Sequence, residues 1–299
     1  MLKKILLLTL LIIASSIPSE AINLKEYKNP EIIIQYEQPL ENAAMNLSGI
    51  YLRVKTDIEK KLKWKVEFIP TTILIHKRTA FQEMAQNELV TAFALPGKNI
   101  IVIDYSKMER TPFDLMATFE HEVCHLLLHH NIKERTIPKW LDEGVCQWAS
   151  GGIADIINPG EKDILKQAVL SNTLFALKDI AFTFPEQQRG LLLSYEESKS
   201  FIEFVVHEYG TEKLLSVLNS LKKGATIGQA VQENLSIELT VLEQKWKKSL
   251  IRQYSWLSYI ADHLYWIIFF VAAMVTLIGY LKFRRKLRNY KDEEEEETG

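Results

Sequence analysis

Residues 121–125 read His-Glu-Val-Cys-His, and no other stretch constrains the fold of this chain as strongly. Histidines four residues apart share one face of an α-helix, where both imidazoles can grip a single Zn²⁺. Glu122 then lies beside the ion, placed to deprotonate a water that the ion activates. The flanks agree with a helix. Thr111 suits a helix cap and Pro112 the first helical position. Leu115, Phe119, Leu126 and Leu127 recur at roughly helical spacing. An ordinary core helix with satisfied histidines is the competing reading, but it gives no reason for metal-site spacing.

A catalytic zinc takes three protein ligands and keeps one position open. His129 shares the helix face of His121 and His125, yet a third ligand one turn further along a straight helix lies too far from the ion. A three-histidine zinc run needs Gly and His where this chain has Leu128 and Asn131. His129 and His130 therefore read as helix-end residues, suited to the helix dipole. Glu143 is the better third ligand, within Pro138-Lys139-Trp140-Leu141-Asp142-Glu143-Gly144-Val145-Cys146-Gln147-Trp148. Seventeen residues separate it from His125. They leave room for the first helix to end near Asn131 and a second to start near Pro138 and cross it. Gln147, one turn after Glu143, reads either as a hydrogen-bond partner of a ligand or, more simply, as a polar surface residue.

The HEVCH stretch followed by PKWLDEGVCQW resembles the gluzincin metallopeptidases. The nearest likeness is to small peptidase MA-like domains, related in core to the aminopeptidase-N type. The resemblance covers roughly positions 65 to 250. It implies a thermolysin-like catalytic domain that hydrolyses peptide bonds, with His121, His125 and Glu143 as zinc ligands and Glu122 as general base. Cys146 departs from the pattern, which has a small residue such as Ala there; Cys packs as a small hydrophobe too. The resemblance also implies a tyrosine hydroxyl that steadies the oxyanion. Tyr195, in a segment ending at Gly210, is the candidate, although a structural tyrosine at a helix start fits as well. His207 is a weaker donor. Residues 90–104 read as two β runs around a Pro-Gly-Lys-Asn turn. Family likeness makes Ala92 to Leu95 a candidate substrate strand; an ordinary hairpin fits equally.

Both ends of the chain point to a membrane. Lys3 and Lys4, an apolar run from Ile5 to Ala14, and Ser19-Glu20-Ala21 have the regions of a secretory signal, giving residues 1–21 as signal peptide. Leu264 to Leu281 is an uncharged run long enough to span a bilayer, bracketed by Tyr265, Trp266 and Tyr280. Lys282, Arg284, Arg285, Lys286 and Arg288 follow it, so residues 282–299 are expected to be a cytoplasmic tail, ending in a disordered acidic run from Asp292 to Glu297. Residues 22–258 are then extracytoplasmic, in a cell envelope. Asn46 and Asn234 begin sequons that matter only in a glycosylating host.

In that compartment Cys124 and Cys146 could pair, but buried free thiols are the favoured reading. Strand-like runs at 31–36, 65–69, 72–76 and 90–104 precede helical stretches at 161–171, 195–209, 211–223, 226–234 and 237–253, with a helix at 40–62. The expected class is α+β: an N-terminal mixed β-sheet lobe, zinc helices, a C-terminal helical lobe and one C-terminal transmembrane helix. A net charge of −2 argues against nucleic acid as a partner. The sequence thus reads as a membrane-anchored zinc metallopeptidase acting on a peptide or protein substrate. No amine-binding marker is visible, which favours an endopeptidase. A catalytically silent, zinc-stabilised binding module or membrane scaffold is the alternative, but a scaffold needs no general base.

Overall fold

The computed structural model describes residues 23–85, 89–108, 113–133, 137–151 and 164–297. Its N-terminal part is a five-stranded mixed sheet: β1 (Lys25–Lys28), β2 (Ile33–Tyr36), β3 (Thr71–Ile75), β4 (Ala92–Leu95) and β5 (Ile100–Asp104), in the order β1-β2-β3-β5-β4. The β2–β3 and β3–β5 pairs are parallel, and β1–β2 and β4–β5 antiparallel. The Pro-Gly-Lys-Asn turn forms as expected, a single 3₁₀ turn closed by Asn99 at φ 53°. It pairs Ala92 with Ile103 and Leu95 with Ile100, leaving β4 at the sheet edge.

Side chains alternate across the sheet as strand geometry requires. Leu74, Ile101 and Ile103 point into the larger core, with helix α1 (Glu41–Leu62). That helix buries Ala43, Ala44, Leu47, Tyr51, Val54, Ile58 and Leu62, an apolar stripe three to four residues apart. Ile75 and Val102 point the other way, onto Phe81 of α2 (Arg78–Ala85). Arg78 Nη1 reaches the buried Asp104 Oδ2 at 2.7 Å and the Val90 carbonyl at 3.0 Å, which pins the start of the edge strand.

Two strand expectations need correcting. Residues 65–69 form no strand, because the Glu59 carboxylate accepts the Val66 amide at 3.0 Å and takes the donor a ladder would need. β1 was not expected, because an edge strand exposed along most of its length shows no apolar alternation.

After β5 come α3 (Tyr105–Met108), α4 (Leu115–Asn131), α5 (Lys139–Ser150), α6 (Ile164–Ser171), α7 (Gln188–Tyr209), α8 (Thr211–Lys222), α9 (Ile227–Leu235), α10 (Leu239–Gln253) and α11 (Trp256–Glu297). Gly210, at φ 86°, separates α7 from α8 in a conformation other residues avoid. The mixed sheet followed by helices is the expected α+β class. The chain divides into two compact units, residues 1–164 with 175–239, and 165–174 with 240–299. The second unit contains α10, which buries Leu242, Trp246 and Leu250 along one face, and α11. Within α11, His263–Arg285 is long and apolar enough to cross a membrane and contains the expected span at 264–281. The acidic run at 292–297, expected to be disordered, continues this helix to Glu297, in line with the high helix propensity of Glu and Lys. The expected signal peptide lies outside the described residues.

Candidate metal centre

Helix α4 is buried continuously from Thr118 to Leu128. Its cap is Asp114, whose carboxylate accepts the Ala117 amide at 2.8 Å, and not Thr111. An aspartate one turn later offers a stronger acceptor for the first free amides; Thr111 and Pro112 themselves fall outside the described residues. Helix α5 starts directly after Pro138, as expected.

The two helices bring three donors together. His121 Nε2 and His125 Nε2 are 3.0 Å apart, and Glu143 Oε2 is 3.5 Å from each. Donors about 2.1 Å from a tetrahedral ion stand roughly 3.4 Å from one another, so this set has the dimensions of a zinc site. The imidazole of His125 is also oriented for it. Its Nδ1 lies 2.9 Å from Asp142 Oδ1, so Nδ1–H donates to the carboxylate and the Nε2 lone pair faces inward. His121 Nδ1 meets no partner among the described residues. All three side chains are buried, and Glu122 is buried beside them.

Electrostatics follow from burial and mutual proximity. Burial pushes the Glu122 carboxyl above the usual range; His121 and His125 oppose this, and Glu143 and Asp142 add to it. Burial would also raise Glu143, but His125, His121 and Lys139 hold it well below the usual carboxylate range. Asp142 is held at about 2 against its burial, by His125 and His129. Burial keeps the Tyr195 hydroxyl protonated far above neutral pH, and Glu143, Glu122 and Asp142 reinforce that.

Tyr195 lines the same cavity as His121, Glu122, His125 and Glu143, a space of about 560 Å³ bounded also by Ala92 to Ala94 of the edge strand. It sits well inside α7, one full turn and more beyond the helix start at Gln188, and not at a helix start. The local apolar run Leu191-Leu192-Leu193 carries the helix further back than the motif alone suggested. Its ring meets Phe184 edge-on at 5.3 Å. His207 is exposed, pairs with Glu208 at 3.0 Å and is not among the residues that line this cavity.

Several neighbours differ from what their sequence positions suggested. Gln147 is buried; its Nε2 donates to the Tyr195 carbonyl at 3.0 Å, so it joins α5 to α7 and is no surface residue. His129 is held by Asp142 Oδ2 at 2.9 Å, while His130 is the exposed helix-end residue. Cys124 and Cys146 are not free thiols. They form a disulfide across a Cα separation of 5.4 Å, because the crossing of α4 and α5 puts both buried small positions at the contact. Closing a loop of this length stabilises a fold by about 3 kcal/mol in the chain-entropy picture. Beyond it, α5 meets α7 at Gly144, where a Cβ would overlap the Ser198 carbonyl oxygen.

Asp142 and Lys139 were missed from sequence. The signal for Asp142 was present: two imidazoles one turn apart at His125 and His129 invite one carboxylate between them. Lys139 Nζ stands 3.6 Å from Glu143 Oε1 and 5.2 Å from the Phe184 ring.

With this arrangement in view, comparison with known proteins places the chain. The family model described as Peptidase MA superfamily matches residues 68–252. The chain belongs to the Peptidase MA superfamily, as the HEVCH and WLDEG segments implied. Among solved structures it is similar to a variant of an M1 zinc metallopeptidase from Deinococcus radiodurans, at 12% identity and a TM-score of 0.47, over 75% of this chain and 51% of that one. It is also similar to native yeast LTA4 hydrolase, at 11% identity and a TM-score of 0.46, over 82% of this chain and 42% of that one. The chain thus spans about half the length of these structures or less. Among curated proteins no sequence match is found.

Proposed function

We propose that this protein is a membrane-anchored zinc metallopeptidase whose catalytic part faces away from the cytoplasm. The observation that carries the reading is the convergence of His121 Nε2, His125 Nε2 and Glu143 Oε2 at 3.0–3.5 Å, with Glu122 on the wall of an open cavity. His121, His125 and Glu143 would hold the zinc. When bound, zinc supplies Lewis acidity and lowers the pKa of water at the site. Glu122 accepts a proton from the attacking water and returns it to the leaving amine. Its burial beside the three donors suits both roles, since it holds the carboxyl out of bulk water and next to the attacking group. Tyr195, held protonated, donates a hydrogen bond to the developing oxyanion. Asp142 fixes the tautomer of His125. An extended peptide would lie along β4, whose outer edge has no strand partner among the described residues.

Anchoring rests on the apolar helix between His263 and Arg285 and the basic cluster that follows it. The buried disulfide supports an oxidising compartment for residues 22–258. The test is cleavage of a mixed peptide library by the zinc-loaded full chain in detergent micelles, with Glu122→Gln and Glu143→Ala beside it. The expected result is cleavage by the parent, at least about 10²-fold slower turnover with zinc retained in Glu122→Gln, and loss of zinc in Glu143→Ala. Equal cleavage by parent and Glu122→Gln would overturn the assignment of the base. No cleavage by the parent would favour a silent zinc-stabilised module.

A further inference from the structure

Among the described residues that line the cavity, Lys139 is the one cation other than the histidines, and beyond helping to keep Glu143 ionised it has no role in the peptidase reading. It projects from the first turn of α5, with its side chain 38% exposed. Its surroundings hold it in place: the ammonium lies over Phe184, and its own backbone amide donates to the Ala181 carbonyl at 2.7 Å. The wall from Phe182 to Pro185 is thereby tied to the start of α5, and Phe182 is 90% exposed on the cavity rim.

The carboxylates of the cavity are engaged elsewhere. Asp142 is shared between His125 and His129. Glu143 points Oε2 at the two imidazoles, and Lys139 meets only Oε1, at a distance too long for a hydrogen bond. Glu122 has the proton-transfer role proposed above, and Glu186 is exposed to solvent on the rim. Among the described residues the ion pair Lys139 makes is this long one to Glu143, which leaves the ammonium's hydrogen-bonding capacity toward the cavity for an anion of the substrate.

We infer that Lys139 is a specificity-determining residue that selects peptides carrying a carboxylate one or two residues from the scissile bond. The inference rests on the peptidase reading. Lys139 Nζ is 3.6 Å from Glu143 Oε1, and the other oxygen of that carboxylate faces the two imidazoles, so the ammonium stands within roughly two residues of an extended peptide, about 3.4 Å each, from a bond cut at the metal position. The carboxylate is either the chain terminus of a short leaving peptide or an Asp or Glu side chain. Phe182 and Phe184 add an apolar surface for the neighbouring side chain.

The experiment compares matched peptides cleaved by the zinc-loaded full chain in detergent micelles. One pair differs only as C-terminal acid and amide, the other as Asp and Asn within two residues of the cut. Both are repeated with Lys139→Met and Lys139→Arg, with zinc content and melting temperature as controls. The parent is expected to prefer at least one carboxylate form by about tenfold or more in kcat/KM, mainly through KM. Lys139→Met should abolish the preference and Lys139→Arg keep it. The same preference should appear as a difference in Kd when uncleaved peptides bind Glu122→Gln. A preference confined to the acid–amide pair identifies the chain terminus, and one confined to Asp over Asn identifies the side chain. Cleavage without either preference, or a preference that survives Lys139→Met, overturns this inference alone. No cleavage of any peptide by the parent overturns the peptidase reading and this inference with it.

Discussion

Gly144 sits between the carboxylate of Glu143 and the disulfide of Cys146, on the face of α5 that meets α7. A methyl group there would overlap the Ser198 carbonyl oxygen and stand 2.7 Å from Ile202 Cγ1 and 2.9 Å from the Ser198 carbonyl carbon. Carbon atoms settle at about 3.5–4.0 Å, so Gly144→Ala must separate the two helices by roughly 0.8 Å. Ile202 can turn, but a backbone carbonyl inside a helix cannot. The cost should therefore fall near the top of the range for overpacking, about 3 kcal/mol. In a chain of this size each kcal/mol shifts Tm by about 2–4 °C, which gives a fall of roughly 6–12 °C. The same displacement moves Glu143 on α5 relative to Tyr195 on α7, and a misplacement near 1 Å costs turnover about 10²-fold. Thermal denaturation followed by circular dichroism measures the first effect, and peptide turnover at matched zinc occupancy the second. Gly49→Ala is the control: nothing lies within 4 Å of a Cβ in the middle of α1, so that variant should gain about 0.5–1 kcal/mol from helix propensity. If Gly144→Ala melted within about 1 °C of the parent, the reasoning from close helix approach would be wrong.

Two further outcomes are expected. Asp142→Ala removes the acceptor of both His125 Nδ1 and His129 Nε2, so zinc affinity measured against a competing chelator should fall about 10–100-fold; an unchanged affinity would show that Asp142 does not position the ligand. Tyr51 is fully buried, and its hydroxyl has no partner among the described residues, so Tyr51→Phe should leave stability unchanged or raise it by about 1 kcal/mol at pH 7. Burial, with Glu31 and Glu59 adding, raises its pKa above the unfolded value near 10. Its contribution is thus complete below about pH 10 and lost as pH rises from there toward the folded value. Urea unfolding between pH 8 and 11 should show the parent losing stability against Tyr51→Phe only in the alkaline part; parallel curves would exclude the effect.

The difference between what could be read from sequence and what could not follows the distance over which each feature is specified. His121, Glu122 and His125 are legible because one helix turn sets their geometry. Glu143 is legible because 17 residues suffice for a turn into a crossing helix whose start Pro138 marks. Gln147 looks like a surface residue on its own helix and is buried only because α7 covers that face. The pairing of Cys124 with Cys146 depends on where α4 and α5 cross, which no local pattern states. β1 escapes for a related reason: its residues are stabilised by pairing with β2 and not by burial.

Those same features explain how the cavity keeps its shape. Helix α5 is fixed on three sides by contacts of different kinds: a covalent link to α4 at Cys146, a close backbone approach to α7 at Gly144, and a hydrogen bond from Gln147 to the Tyr195 carbonyl. Lys61 adds a fourth tie, bridging Glu120 of α4 and the Ala149 carbonyl of α5. Glu143 and Lys139 both project from this one clamped helix, and Tyr195 from the helix it is clamped to. The donors facing one another at 3.0–3.5 Å are therefore held by packed helices, while the wall at 182–185 carries the exposed aromatic side chain. This division suits a site in which the chemistry needs fixed atoms and substrate choice is made at the rim. It follows that substitutions at Phe182 should alter which peptides are cleaved and leave zinc content unchanged, whereas substitutions at Gly144 should reduce cleavage of every peptide alike.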